Sequence, residues 1–202
     1  MPKKVDHQER RERIAAALMR VAADQGLEAV SLRHVAAEAG VTSGMVQHYF
    51  PTKEAMMDFA MKSASARFEE RMTEAVRKLG DDPSARELVG AVLTTLLPVD
   101  EAGRADGRVA LAFTSYAATK RTAAEVLGEN NADVREFITE QIRSAQSAGS
   151  AAPGIDPEHT ATALFAMAEG LAVHLLSTGL PAEAAVRALN AQLDTTFGPR
   201  RA

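Results

Sequence analysis

The side chains in this sequence best suited to acid–base or metal chemistry are five histidines, which are scattered along the chain at His7, His34, His48, His159 and His174. None belongs to an HExxH pair, and the sequence contains neither a nucleophile elbow nor a glycine-rich phosphate loop. The chain has no cysteine, which excludes disulfide bonds, thiolate nucleophiles and thiolate metal sites. We therefore predict that the protein is not an enzyme and that it uses no cofactor and no metal ion.

Glu169 lies in an otherwise apolar segment, five residues before His174. A separation of five residues does not place two side chains on one face of a helix, so the two make a poor acid–base couple. A carboxylate in such a segment leaves open a different chemistry, in which Glu169 anchors a cationic ligand.

Positive charge is concentrated towards the N-terminus. Residues 1–62 hold 9 Lys+Arg against 8 Asp+Glu and residues 63–202 hold 14 against 19, so a net charge of +1 precedes one of −5. The first 13 residues contain five basic side chains: Lys3, Lys4, Arg10, Arg11 and Arg13. This pattern is compatible with a small footprint on nucleic acid and argues against nonspecific coating of it. The arginines form either a solvated face or further phosphate contacts.

Almost every segment of the 202 residues has the 3.6-residue period of an amphipathic helix, and none alternates as a strand does. We therefore expect an all-α fold of about nine helices. The first ends at Gly26, and a long one runs from Lys53 to about Leu79. A polar loop is expected at 98–107, and a break near Gly128 is left open. The remaining helices are expected over 84–97, 108–119, 120–147, 157–178 and 181–197.

Residues 31–53, SLRHVAAEAGVTSGMVQHYFPTK, predict two short helices joined by a tight turn. Ser31 is a suitable N-cap for the first helix, and either Thr42 or Ser43 caps the second. Gly40 follows the first helix at a position where the chain needs positive φ. The small and apolar side chains that let the two helices approach closely are Val35, Ala36, Ala39, Val41, Val46 and Tyr49.

This order of small residue, glycine and valine is typical of a helix-turn-helix, which lays its second helix in the major groove of DNA. Two alternatives remain open at this point. The segment could be an αα-hairpin that binds no nucleic acid, or the chain could be a helical module that binds only other proteins. The helix-turn-helix interpretation predicts two domains, a DNA-binding domain over 1–52 and a helical body over 53–202.

The first 60 residues resemble the TetR family of one-component bacterial transcription regulators. The resemblance rests on the GV-T-S-G step, the aromatic pair Tyr49-Phe50 and the following Pro51-Thr52-Lys53-Glu54. The C-terminal body resembles the betaine-regulator-like subgroup in the loop around PVDEAGR and in the last two helices. The resemblance implies a regulator, most often a repressor, which is a homodimer that binds a palindromic operator of double-stranded DNA and is released by a small-molecule effector.

By this resemblance the recognition helix is Thr42–Tyr49. The residues expected to face the groove are Thr42, Ser43, Gly44, Met45 and Gln47, and those expected to reach phosphates are Ser31, Arg33, His48, Tyr49 and Lys53. Many relatives have an aromatic residue where this chain has Gln47, whose amide can pair bidentately with adenine. Tyr49 could equally be plain core. Lys53 opens a helix whose N-terminus favours an anion, although a solvated lysine is the alternative.

The resemblance also implies an effector pocket in the helical body, lined mainly by apolar side chains: Met72, Leu93, Leu96, Leu97, Phe113, Tyr116 and Phe137. Because such a lining is apolar, we expect an apolar effector of small to medium size. The last two helices are expected to form the dimer interface through Leu164, Phe165, Ala168, Leu171, Leu175, Val186, Leu189 and Leu193, unless this stripe packs within one subunit. No segment offers about 18 uninterrupted apolar residues, and the charged N-terminus lacks the apolar region of a signal peptide, so we expect no membrane partner and a cytoplasmic protein.

Overall fold

The computed structural model describes the backbone of residues 2–198 and the side chains of residues 7–198. Over these residues the fold is all-α, without strands, as the sequence predicted. A 3-10 turn at Leu27–Ala29 follows the first helix. The nine helices are α1 (Pro2–Gln25), α2 (Leu32–Ala39), α3 (Ser43–Tyr49), α4 (Lys53–Arg77), α5 (Ala85–Thr94), α6 (Glu101–Ala117), α7 (Arg121–Ser147), α8 (Pro157–Ser177) and α9 (Ala182–Phe197). The basic residues Lys3 and Lys4 have side chains outside the described part.

Helix α6 is longer than the sequence predicted, because the expected loop at 98–107 is helical from Glu101 onwards. The carboxylate of Asp100 accepts a hydrogen bond from the amide of Gly103 over 2.7 Å, which caps the new first turn. Gly107 packs closely on its neighbours, since a Cβ there would lie 3.2 Å from Pro98 Cβ and 3.3 Å from Leu176 Cδ1. The segment predicted as a polar loop therefore forms the first turns of a packed helix.

Helix α7 is unbroken from Arg121 to Ser147, which resolves the question left open at Gly128. Gly128 is exposed, its φ is not positive, and a Cβ added to it would meet nothing within 4 Å. Nothing at this position requires glycine, so the residue reduces the intrinsic stability of the helix without interrupting it.

The chain forms two compact units. The first runs up to Arg67 and includes Arg108–Leu127; the second consists of Phe68–Gly107 and the chain from Gly128 onwards. The unit that contains α2 and α3 therefore also includes the first part of α4 and a segment from the middle of the chain. The boundary predicted after residue 52 divides the chain by function, into a DNA-binding domain and a helical body. It stays a prediction.

The core of the first unit is built on α1, whose apolar stripe faces α2 and the start of α4. Ile14 and Leu18 of α1 are buried at 1% and 0% exposure, together with Val46 of α3 and Met56 and Met57 of α4. Burial of each such side chain contributes about 1.5–3 kcal/mol. This core fixes the orientation of the short helix α3, which is too short to be stable alone.

The second unit has a separate core drawn from α5, α7, α8 and α9. Its fully buried side chains include Leu93, Ile138, Ile142, Leu164, Leu175, Leu189 and Leu193. The helices begin at well-defined caps: Ser84 and Glu87 form a capping box at α5, and Asp156 caps α8 with Pro157 in its first turn. The buried guanidinium of Arg86 on α5 donates from Nε to Asp194 of α9 over 2.8 Å.

Helix α8 is long and apolar enough to cross a membrane by length and composition alone, although only 28% of its most apolar window is buried within the chain. One face of α8 lies in the core of the second unit, where Leu164, Phe165 and Leu175 are buried. A core helix of this kind passes the same test of length and composition as a membrane span.

Candidate nucleic-acid interface

Helices α2 and α3 meet at a corner that the local sequence determines. Ser31 accepts a hydrogen bond from the amide of His34 over 3.2 Å and so caps α2. Gly40 has φ 65° and ψ 38°, the left-handed conformation in which glycine avoids the steric cost of a Cβ. The amide of Val41 then returns to the carbonyl of Ala36 over 3.0 Å, which closes the end of the helix. The predicted glycine turn is present.

The N-cap of α3 is Thr42, which decides between the two candidates that the sequence allowed. Its Oγ1 accepts a hydrogen bond from the amide of Met45 over 3.2 Å. Ser43 lies in the first turn and remains exposed. The Thr42 hydroxyl is engaged in capping. The main contribution of this residue to the site is therefore to fix where α3 begins.

Helix α3 has one face in the core and one face in solvent. Val46 has 0% exposure and Phe50, at the C-cap, has 1%. The residues of the helix segment that are exposed are Thr42, Ser43, Gly44, Gln47 and His48, while Met45 and Tyr49 are half-buried. An exposed helix face without a carboxylate, held by a packed unit beneath it, has the form that a recognition helix requires.

The remaining predicted contacts flank α3 in the same unit. Ser31 and Arg33 are exposed at the start of α2. Lys53 is half-buried in the first turn of α4, where Thr52 Oγ1 accepts from the amide of Ala55 over 3.0 Å. The other amides of this first turn point along the helix axis towards the N-terminal end, where they favour an anion. Both the phosphate contact and the alternative of a solvated lysine stay predictions, because a half-buried lysine can bury its stem and keep its ammonium in water.

Helix α1 supplies residues whose place the sequence analysis did not foresee. The guanidinium of Arg11 lies over the rings of Phe59 and Phe50, at 4.3 and 5.1 Å from their centroids, and its Nε is buried without a hydrogen bond. Arg13 donates from Nη2 to the carbonyl of Ala39 over 2.8 Å. Arg10 Nη1 lies 3.9 Å from the sulfur of Met45. These arginines hold α1 against the helix-turn-helix, so the solvated-face interpretation of Arg11 is wrong.

Tyr49 is flanked by two imidazole rings. The ring of His7 lies 4.6 Å from it, centroid to centroid, and that of His48 lies 5.3 Å from it, both in edge-to-face arrangements. Tyr49 is half-buried, so its ring packs on its neighbours while part of it stays accessible, and the phosphate contact stays a prediction. By helical spacing, residues 7, 10, 11 and 14 share one face of α1. This spacing is the sequence feature from which the position of His7 beside α3 could have been predicted.

The predicted effector-binding residues do not form one group. Met72, Leu93, Leu96, Leu97 and Phe137 belong to the apolar cluster of the second unit. Phe113 and Tyr116 belong to the cluster of the first unit. Burial raises the pKa of the Tyr116 hydroxyl, and the carboxylates of Glu54 and Asp58 raise it further. Tyr116 is thus a neutral hydroxyl within the first unit.

Glu169 is half-buried on α8 in the second unit. Burial raises the pKa of its carboxyl, an effect that the guanidinium of Arg135 on α7 partly opposes. A carboxylate kept partly out of water beside an apolar cluster attracts a cation. A separate open groove of about 500 Å³ lies between α4 and α5 and contains none of the predicted residues; it is lined by Ala75, Lys78, Leu79, Glu87, Gly90, Ala91, Thr94 and Thr95.

Six of the eight predicted dimer-interface residues are buried within the single chain, so for them the packing alternative is correct: Leu164, Phe165, Ala168, Leu175, Leu189 and Leu193 are 0–4% exposed. Leu171 and Val186 are half-buried against the same cluster. The opposite face of α8 carries small or apolar residues at helical spacing that lie outside this core: Ala163, Ala166, Gly170, Val173 and Ser177. The sequence could not tell the two faces apart because α8 is apolar on both.

Comparison with known proteins places both parts of the chain. Residues 14–58 match the family model for bacterial regulatory proteins of the tetR family, and residues 85–198 match the model for the C-terminal part of BetI-type transcriptional repressors. The HTH-type transcriptional regulator PksA of Bacillus subtilis is 31% identical over 87% of this chain and 83% of its own length. BetI of Rhizobium meliloti is 28% identical over 92% and 88%.

Solved structures have the same fold. A transcriptional regulator from Rhodococcus sp. Rha1 superposes with a TM-score of 0.80 at 35% identity, covering 92% of this chain and 95% of its own. A regulator from Saccharomonospora viridis, solved in complex with choline, has a TM-score of 0.80 at 21% identity, covering 93% and 96%. At that identity the second comparison concerns the fold alone.

Proposed function

Because the chain belongs to the TetR family of DNA-binding transcriptional regulators, which are not enzymes, we propose that it is a homodimeric repressor that acts in the cytoplasm. In this proposal two copies of α3 read a palindromic operator, and a small molecule bound in the helical body releases the DNA. The alternative of a protein-binding module without DNA affinity is set aside by the family membership.

The observation that supports operator binding is the division of α3 into two faces. Val46 is fully buried while Gln47 and His48 are exposed, so the core holds the helix without covering its polar side. Gln47 is the residue of this face best suited to read a base, because a side-chain amide can pair with both polar atoms of adenine. Gly44 lets the backbone approach the groove, and Met45 supplies apolar contact for a thymine methyl.

The proposed dimer interface is the outward face of α8 together with the matching face of α9. On α8 this face consists of Ala163, Ala166, Gly170 and Val173, with Ser177 at its end. On α9 it continues through Ala184, Ala188, Ala191 and Thr195, which recur at the same spacing. Small side chains let two helix pairs approach closely about a twofold axis and form a four-helix bundle. The low burial of α8 within one chain supports this role.

The effector is proposed to bind in the second unit, against the side chains of Met72, Leu93, Leu96, Leu97 and Phe137. Their apolar character favours a largely apolar molecule of small to medium size. Glu169 supports a second candidate, an effector with a cationic group. Its half-buried carboxylate is partly desolvated, and a bound cation would offset the free energy that this desolvation costs. The choline complex of a fold relative is consistent with that chemistry.

Release requires that the effector prefer the state that does not bind DNA. Two recognition helices must enter successive major grooves about 34–36 Å apart, so any change in their spacing opposes binding. A hundredfold loss of operator affinity needs about 2.7 kcal/mol of differential effector binding. An effector that binds both states equally would release nothing.

Selection of bound duplexes from a random DNA pool tests the proposal. We expect the full-length protein to enrich one sequence made of two inverted half-sites, with nanomolar affinity that weakens steeply as salt rises. Enrichment of no sequence, or of a single half-site without its inverted copy, would contradict the proposal of a dimeric operator-binding protein. The recovered duplex then serves as the probe in the experiments below.

A further inference from the structure

The cluster of His7, Tyr49 and His48 is not explained by the contacts that a recognition helix alone makes. His7 comes from α1, and the other two residues come from the end of α3. The two imidazoles approach the Tyr49 ring edge-to-face at 4.6 and 5.3 Å. Both histidines are exposed, so their ring nitrogens remain available while the ring edges are held. A side chain of α1 is thereby fixed beside the exposed face of α3.

We propose that His7 is a further DNA-contacting residue and that, with His48, it binds backbone phosphate in its protonated form. This inference rests on the proposed operator binding and adds a contact from outside the helix-turn-helix. Histidine is the side chain whose charge ordinarily changes between pH 5 and 8. Each protonated imidazole supplies a charge-assisted donor to a phosphate oxygen, whereas the neutral ring supplies only a weaker hydrogen bond. Operator affinity should therefore rise as pH falls.

The charged groups around the cluster favour a phosphate over a protein partner. On α1 the residues one turn after His7 are Arg10, beside Met45, and Arg11, over Phe50 and Phe59. Helix α3 itself contains no carboxylate.

Of the carboxylates on the neighbouring helices, Glu9 on α1 is exposed two residues after His7, and two others are engaged within the protein. On α1, Glu12 accepts from Gln8 over 2.8 Å; on α2, Glu38 pairs with Arg20. Glu54, which follows Lys53 at the start of α4, acts on the Tyr116 hydroxyl. On α2 the imidazole of His34 lies 2.7 Å from the carbonyl oxygen of Ala29, which engages its Nδ1. His7 and His48 are thus the titratable groups of this surface whose ring nitrogens have no protein partner among the contacts described.

The test measures binding of the selected operator duplex at pH 6.0 and pH 8.0 over a range of salt concentration. The variants of the full-length protein are His7→Ala, His48→Ala, the double variant, and His159→Ala as the control. His159 is also exposed but lies at the start of α8 in the second unit. Each phosphate contact adds about 0.9 to the slope of log affinity against log salt. Acidification of a dimer with four such contacts should therefore steepen the slope, by at most about 3.6.

We expect the wild type and His159→Ala to bind more tightly and with a steeper slope at pH 6.0. His7→Ala should lose about half of this gain, and the double variant nearly all of it. His7→Lys supplies a permanent cation, so it should bind more tightly than His7→Ala at pH 8.0, with thermal denaturation confirming that both variants fold. A His7→Ala variant with the full acid gain, or a His7→Lys variant no tighter than His7→Ala, overturns the inference. A wild type that binds the duplex equally at both pH values also overturns it, whereas a wild type that enriches no duplex refutes the proposed function instead.

Discussion

The guanidinium of Arg13 donates a hydrogen bond from Nη2 to the carbonyl oxygen of Ala39 over 2.8 Å, and so joins α1 to the last residue of α2. That carbonyl lies at the end of α2, where the helix leaves its final acceptors without amide partners. Gly40 follows immediately in the left-handed conformation, and a Cβ built on it would lie 3.4 Å from the same Nη2. The orientation of α3 therefore depends on a backbone conformation and a side-chain cap at one corner.

Replacing Gly40 by alanine should destabilise the protein by about 1–2 kcal/mol, because a residue with a Cβ is strained at φ 65°. The matched control is Gly128→Ala within α7, where φ is ordinary and the added Cβ meets nothing within 4 Å. That change should stabilise the protein by about 0.5–1 kcal/mol. Urea denaturation measures both; two substitutions of the same sign would contradict this account of the corner.

Thr42→Ala should cost about 1 kcal/mol of stability, because α3 loses the hydroxyl that accepts from the amide of Met45. Operator affinity should fall at the same time, since the cap fixes where α3 begins. Thr42→Ser retains the hydroxyl and should behave nearly as the wild type in both measurements. Equal losses in the two variants would show that the methyl group of Thr42, and not its hydroxyl, matters here.

Gln47→Ala and Lys53→Ala should change DNA binding in different ways. Loss of the Gln47 amide should relax sequence preference at one or two positions of each half-site, by about 1–3 kcal/mol at each position. Loss of the Lys53 ammonium should weaken all duplexes about equally and lower the salt slope. Repeating the selection with each variant separates the two roles. Unchanged selectivity of Gln47→Ala would dismiss it as the reader of a base.

Glu169→Gln should make stability less dependent on pH. Burial raises the pKa of the Glu169 carboxyl above its usual value, so the folded state binds this proton more tightly than the unfolded state does. Stability is then lost as pH rises from the usual carboxyl range through the raised pKa. The variant should be more stable than the wild type at neutral pH and no more stable below the usual range. Glu140→Gln, exposed on α7, is the control and should show no such difference.

Ala166→Arg should separate the proposed dimer, because a long charged side chain cannot be accommodated between closely packed copies of α8. Ala166 is exposed in the single chain, so the subunit itself should remain folded. Sedimentation should show monomers of Ala166→Arg and dimers of Ala132→Arg, in which the substituted residue is exposed on α7 and does not belong to the proposed interface. A dimeric Ala166→Arg protein would place the interface elsewhere.

The helix-turn-helix could be predicted from sequence because its determinants are local. Ser31, Gly40 and Thr42 act within three or four residues of their own positions, through caps and a single φ angle. The faces of α1 were less predictable, since Arg11 packs on Phe50 and Phe59, far from it in sequence. A pattern of charges cannot show that an arginine lies over two aromatic rings.

The helices of the second unit could be predicted from the sequence, whereas the roles of its individual side chains could not. A polar loop was predicted at 98–107, but the residues from Glu101 onwards are helical, and Gly103 and Gly107 both lie close to Pro98. Apolar side chains likewise fit a core, a pocket or an interface equally well. Leu164 and Leu189 were assigned to an interface, yet they lie in the core of one chain.

The most direct test of the central claim, that the exposed face of α3 binds the major groove, is methylation interference on the selected duplex. Methylation of guanine N7 alters the major groove alone. We predict interference at guanines in two patches about one helical turn apart. A duplex that binds equally well with its guanine N7 positions methylated would contradict the claim.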